Sequence, residues 1–261
     1  MKNSIFEELI KTMATLRSPS GCMWDREQTH ESIKSNLIEE TYEVIDAIES
    51  KNPEKLKEEL GDVLLQIIFH SQMAKENNQF DVYDVIKSIN DKLIRRHPHV
   101  FGNTDIKDTK DILNQWEKIK KQEVANKDRK SITDGIPKHL PVLLKALKIQ
   151  KQVSRIGFDW KSVDGVINKV EEELEEIKQA HNEKQALSAI KEEIGDLLFA
   201  TINLARYLDI CPEEALHSTI IKFQKRFQYI EENIQKKFNK DIHNATSEEM
   251  EQLWIEAKQK L

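Results

Sequence analysis

The run Glu58-Glu59-Leu60-Gly61-Asp62-Val63-Leu64-Leu65 returns, slightly altered, as Glu192-Glu193-Ile194-Gly195-Asp196-Leu197-Leu198-Phe199. Upstream, Glu39-Glu40-Thr41-Tyr42-Glu43 returns as Glu172-Glu173-Leu174-Glu175-Glu176. Residues 40 and 173 stand 133 positions apart, and residues 62 and 196 stand 134 apart. Arg95 and Arg226 (131 apart) and Trp116 and Trp254 (138 apart) extend the register. A nearly constant offset is the mark of an internal duplication. The chain must therefore fold as two copies of one unit, which sets the size of each core. Between the copies, Asn126, Asp128, Ser131, Thr133, Asp134, Gly135, Pro137 and Pro141 gather turn formers and helix breakers. The expected organisation is an N-terminal domain at 1–124, a linker at 125–141 and a C-terminal domain at 142–261.

Each copy has helical spacing. Ile5, Leu9, Ile10 and Met13 recur at three and four, and the same period runs through Ile33 to Ile48. Further helices are expected at Leu56–Ala74, Asp81–Arg96 and Ile112–Val124, and then at Leu143–Val153, Val166–Gln179, Ala186–Leu208, Pro212–Phe238 and Ser247–Lys260. Valine and isoleucine never alternate as a strand requires. Seven glycines and six prolines in 261 residues are too few for a turn-rich β fold. The fold class is all-α, a tandem pair of helical bundles.

Composition excludes several functions. Two cysteines, Cys22 and Cys211, build neither a disulfide framework nor a thiolate zinc cluster, and neither has a nearby base. A net charge of −6 argues against direct nucleic-acid binding. No apolar run is long enough to span a bilayer, and Glu7 and Glu8 interrupt the apolar pattern of the N-terminus, so a cytoplasmic location is expected. No glycine-rich phosphate loop is present, so phosphate binding would fall to a metal and side chains.

The acidic repeats carry the chemistry. Glu173 and Glu176 are three apart and share one helix face, as do Glu193 and Asp196. Two antiparallel helices would bring the pairs together. Four carboxylates at that range repel by a few kcal/mol at an effective dielectric of ~20. A divalent cation relieves the repulsion, and an all-oxygen set selects a hard ion, Mg²⁺ or Mn²⁺. The plainer alternative is a solvated acidic face, common in a chain that is 33% charged. Asp62 and Asp196 are each expected to open a mostly buried helix, because apolar residues follow them; a carboxylate against core needs a partner. Glu40, Glu43, Glu59 and Asp62 form the matching N-terminal set.

Lys222, Lys225 and Arg226 lie at i, i+3 and i+4 on a later helix, suited to a polyphosphate or to pairing with Glu231 and Glu232. The first copy has Asp91 and Ile94 where the second has Lys222 and Lys225, so its basic set is depleted. The second copy is the better candidate for catalysis. Trp254 could stack on a nucleobase or anchor a core. Asn203 and Arg206, seven and ten residues beyond Asp196, fall near one face; Asn203 is a candidate substrate contact or a buried amide. His97 and His99 flank Pro98 and shape a helix end.

The doubled motif resembles the MazG family of nucleoside triphosphate pyrophosphohydrolases, whose pattern is Glu-Glu-x-x-Glu, a spacer, then Glu-x-x-Asp. Gly21-Cys22-Met23-Trp24-Asp25, Arg95-Arg96-His97-Pro98-His99-Val100-Phe101 and Gly157-Phe158-Asp159-Trp160 carry the resemblance across nearly the whole chain. The acidic motif alone is shared with all-α dUTPase- and dCTPase-like relatives. The resemblance implies an all-α homodimer that hydrolyses NTPs and dNTPs to the monophosphate and pyrophosphate. It implies Mg²⁺ held by Glu173, Glu176, Glu193 and Asp196, with Glu172 beside them or acting as a base. Lys222 and Arg226 would hold phosphates, with Lys169 as a further contact. A selective dUTP or dCTP hydrolase and a non-catalytic helical interaction protein are the alternatives.

Overall fold

The computed structural model describes residues 2–102 and 131–261, together with Asp108, Asp111, Ile112, Gln115, Trp116 and Ile119. The helix expected at Ile112–Val124 and the first part of the expected linker lie largely outside the described residues. The chain divides into two compact units, Met1–Val124 and Ala125–Leu261. Among the described residues there is no strand.

The first unit contains α1 (Lys2–Leu16), α2 (Met23–Glu27), α3 (Lys34–Glu49), α4 (Pro53–Glu76), α5 (Val82–Arg96) and α6 (Pro98–Phe101). Helices α3 and α4 form a hairpin closed by Ser50, Lys51 and Asn52. The Asn52 side chain accepts from the backbone N–H groups of Glu54 and Lys55, and Pro53 sits at the first helical position. Asp81 caps α5 in a reciprocal box with Asp84. Met13, Ile33, Ile68, Phe69, Met73 and Val82 form the core, with α1 and α5 packed on α4.

The second unit contains α7 (Val142–Ser154), α8 (Val163–Asn182), α9 (Leu187–Tyr207), α10 (Pro212–Phe238) and α11 (Ser247–Lys260), with a 3₁₀ turn at Ile242–Asn244. Helices α8 and α9 form the equivalent hairpin, and α7 packs on α9. Ala146, Leu147 and Ile202 make one small core. Ile230, Ile234 and Leu253 make another between α10 and α11.

The backbone repeats the duplication. Lys51 and Lys184, 133 positions apart, both turn with left-handed φ of 54° and 53° at the hairpin bends. Asn78 and Asp209, 131 apart, do the same just past α4 and α9, at 54° and 56°. Two short helices, α2 and α6, went unread in the sequence because five and four residues are too few to show a period. One expectation is corrected. Asp62 and Asp196 do not open helices; they lie inside α4 and α9. Nor is the following stretch of α9 mostly buried: Leu198 and Phe199 are 55% and 44% exposed. An apolar run shows that a surface wants cover, and it does not show that the same chain supplies it.

Candidate active site

The α8–α9 hairpin brings the second acidic set together. Oxygens of Glu173, Glu176 and Glu193 all lie within 4.8 Å of one another. Glu173 is 5% exposed, Glu193 half-buried and Glu176 exposed, so the cluster grades from core to rim. Asp196 lies one turn beyond Glu193, exposed and outside that group of three. Lys169, one turn before Glu173, bridges the first helix's acids: Nζ lies 2.6 Å from Glu173 and 2.8 Å from Glu172. Hydrogen bonds to Glu172 and then Glu173 push the Lys169 ammonium's pKa up, so it stays charged. Loss of hydration, then the hydrogen bond and charge of Glu173, push the Glu176 carboxyl above its usual range, and Glu193 adds to the effect. A cluster that raises its own proton affinity favours uptake of a cation.

The first unit repeats this with a difference. Glu40, Glu59 and Asp62 converge within the same 4.8 Å, while Glu43 lies outside the group. Here the buried member is Glu59, on the second helix of the hairpin, and it is held in no hydrogen bond or ion pair among the described residues. Burial, then Asp62 and Glu43, push the Glu40 carboxyl up. Burial followed by Glu43 does the same to Glu59. The position matching Lys169 is Asn36, so this set lacks a resident ammonium there.

The basic set lies on α10. Lys222 and Lys225 are exposed, and Arg226 is half-buried with its Nε unbonded. Neither Lys222, Lys225 nor Arg226 is bonded to the acidic set among the described residues, and the expected pairing with Glu231 and Glu232 does not form. The Arg226 guanidinium lies 5.8 Å from the Trp254 ring centre, and Lys258 Nζ lies 5.7 Å from it. Phe223 packs on the same ring at 5.2 Å. Trp254 thus joins the edge of the α10–α11 core and carries two cations.

Comparison with known proteins decides the family. The sequence profile of the MazG nucleotide pyrophosphohydrolase domain matches residues 28–101 and again residues 161–230. The chain belongs to the MazG family. It is 48% identical over 254 residues to a nucleoside triphosphate pyrophosphohydrolase/pyrophosphatase MazG of Thermotoga maritima, covering 97% of this chain and 96% of that one. It is 42% identical over 256 residues to a nucleoside triphosphate pyrophosphohydrolase of Escherichia coli K12, covering 97% and 96%. An uncharacterised protein of Bacillus subtilis, YabN, is 44% identical over 256 residues, which cover 98% of this chain and 51% of that one.

Both MazG matches include an acidic hairpin, and the second also includes the basic set of α10. Sequence reasoning placed Asn203 as a candidate contact and did not see what holds it. Arg206 Nε donates to Asn203 Oδ1 at 2.8 Å, and Arg206 Nη1 donates to Asp159 Oδ2 at 2.9 Å. Asp159 lies 47 residues away, in the Gly157–Trp160 stretch that marks the MazG resemblance. The only signal available beforehand was the isolated carboxylate of that stretch.

Proposed function

We propose that the chain is a Mg²⁺-dependent nucleoside triphosphate pyrophosphohydrolase, able to use Mn²⁺, with its chemistry in the C-terminal unit. The convergence of Glu173, Glu176 and Glu193 carries this reading. A six-coordinate Mg²⁺ places ligand oxygens roughly 3–4 Å apart, a spacing that this cluster meets with small side-chain shifts. Glu173, Glu176, Glu193 and Asp196 would hold the ion. When bound, it supplies positive charge against the charge that develops on the phosphate oxygens.

The protein's own groups do the rest. Glu172, exposed at the rim, accepts the proton of a water that attacks the α-phosphorus. The bond from that phosphorus to the bridging oxygen breaks, leaving the monophosphate and releasing pyrophosphate. Lys169 keeps Glu172 and Glu173 in place between turnovers. Lys222, Lys225 and Arg226 neutralise the departing phosphates, and the half-buried Trp254 stacks on the base. An aromatic face stacks on any base, which supports broad tolerance over selectivity for dUTP or dCTP.

The exposed Ile194, Leu198 and Phe199 of α9 lie beside the acidic turn, and a second copy of the chain is their proposed cover. The protein would work as a cytoplasmic homodimer. Among the described residues no helix is long and apolar enough to cross a membrane.

The test offers each of the common NTPs and dNTPs with Mg²⁺ and resolves the products by ion exchange. Monophosphate with pyrophosphate from several bases is expected, and Glu193→Gln should lower turnover at least a hundredfold without unfolding the chain. Release of orthophosphate, a single pyrimidine substrate, or an undiminished E193Q would each refute a stated part.

A further inference from the structure

We infer that Asp159 and Arg206 are positioning residues that orient the Asn203 amide and the Gly157–Trp160 loop toward the nucleoside end of the substrate. The inference rests on the function proposed above. Its starting point is one nearly buried guanidinium. The Arg206 side chain is 9% exposed, yet Nη1 and Nη2 take both oxygens of Asp159 and Nε takes Asn203 Oδ1.

A guanidinium has donors only. The oxygen of the Asn203 amide must therefore face Arg206, and its NH₂ group must face away. That NH₂ has no partner among the described residues, so it is a donor pair held in a fixed orientation. Asp159 acts on the other side. Its Oδ1 also accepts the backbone N–H of Trp160 at 2.9 Å, which ties the loop to α9. The Trp160 ring then lies over Gly165 on α8, so close that an added Cβ there would come within 2.8 Å of Trp160 Cε3.

The location gives the ligand. Asn203 lies seven residues past Asp196, two turns along the same helix face, or about 10 Å. Gly165 lies eight residues before Glu173 on the antiparallel partner, a similar distance. Both helices thus carry a fixed polar or aromatic group on the same side of the carboxylates, displaced as a nucleoside is displaced from its phosphates. An amide donor pair, tied through Arg206 and Asp159 to the loop that carries an indole, suits an oxygen acceptor on a nucleoside, either a sugar hydroxyl or a base carbonyl.

The experiment uses the full chain, Mg²⁺ and α,β-methylene nucleotide analogues, measuring Kd by calorimetry beside kcat and KM for hydrolysis. Asn203→Asp keeps an acceptor for Arg206 and removes both donors. It should weaken analogue binding and raise KM about tenfold, with kcat within about twofold and the melting temperature retained. Arg206→Lys and Asp159→Asn should move KM in the same direction, and the N203D/R206K pair should be no worse than N203D alone. A larger loss for NTPs than dNTPs assigns the sugar, and a loss confined to pyrimidines or to purines assigns the base; both support the role. Unchanged Kd and KM in N203D, or a fall in kcat alone, overturns it while leaving the hydrolase reading intact. A wild-type chain that binds no analogue overturns that reading, and this role with it.

Discussion

Arg17 and Glu76 show how a single ion pair is worked into the first unit. Arg17 Nη2 meets Glu76 Oε2 at 2.8 Å, its Nε shares both oxygens, and its Nη1 holds backbone carbonyls of Asp25 and Gln28. The guanidinium also lies over Phe69, 5.3 Å from the ring centre. The hydrogen bond from Arg17 holds the Glu76 carboxyl below its usual range. A depressed carboxylate stabilises the fold at neutral pH, and that stability is lost as pH falls through the folded-state value. Glu76→Gln should therefore lower stability by about 1 kcal/mol at pH 7 and flatten the acid limb below the ordinary glutamate range; denaturant titrations at several pH values would show it. At this scale the sequence was informative where partners are close in the chain. Glu173 and Glu176 were legible because three residues make one helical turn. Arg17 with Glu76, and Arg206 with Asp159, were not, because nothing in a local pattern points across 59 or 47 residues.

Helices were legible in the same measure. Pro212–Phe238 and Ser247–Lys260 appear as expected, the first begun by a proline and the second by the reciprocal cap of Thr246 and Glu249. Ends elsewhere moved by a few residues, because apolar spacing locates a helix's buried stripe while its first and last turns are often polar. The close crossing of Trp160 over Gly165 could not be read this way, since a glycine inside a helical pattern has several possible reasons. Gly165→Ala should displace the indole, shift Trp160 fluorescence and raise KM alongside the Asn203 variants. An alanine that improves stability with no change in KM would show that the ring does not need that seat.

For the molecule as a whole, duplication was the most legible property and asymmetry the least. Four landmarks gave the offset, and the backbone repeats it in two pairs of left-handed turns. The depleted basic set of the first unit was also visible beforehand. What no pattern revealed is that the buried glutamate changes helices between units, from Glu59 on α4 to Glu173 on α8. Burial depends on which neighbours press on each face, and a motif records only residue identity.

Gly61 and Gly195 sit in equivalent mid-helix positions, and around each an added Cβ would meet nothing within 4 Å. Helices normally lose about 1 kcal/mol for such a residue compared with alanine, so each unit keeps an open, exposed backbone position beside its carboxylates at the expense of rigidity. Adding a methyl group at each in turn is a way to learn beside which hairpin the reaction runs. G61A should raise the melting temperature and leave turnover as it was, whereas G195A should raise it equally and slow the enzyme, dividing one inherited shape into an idle copy and a working one.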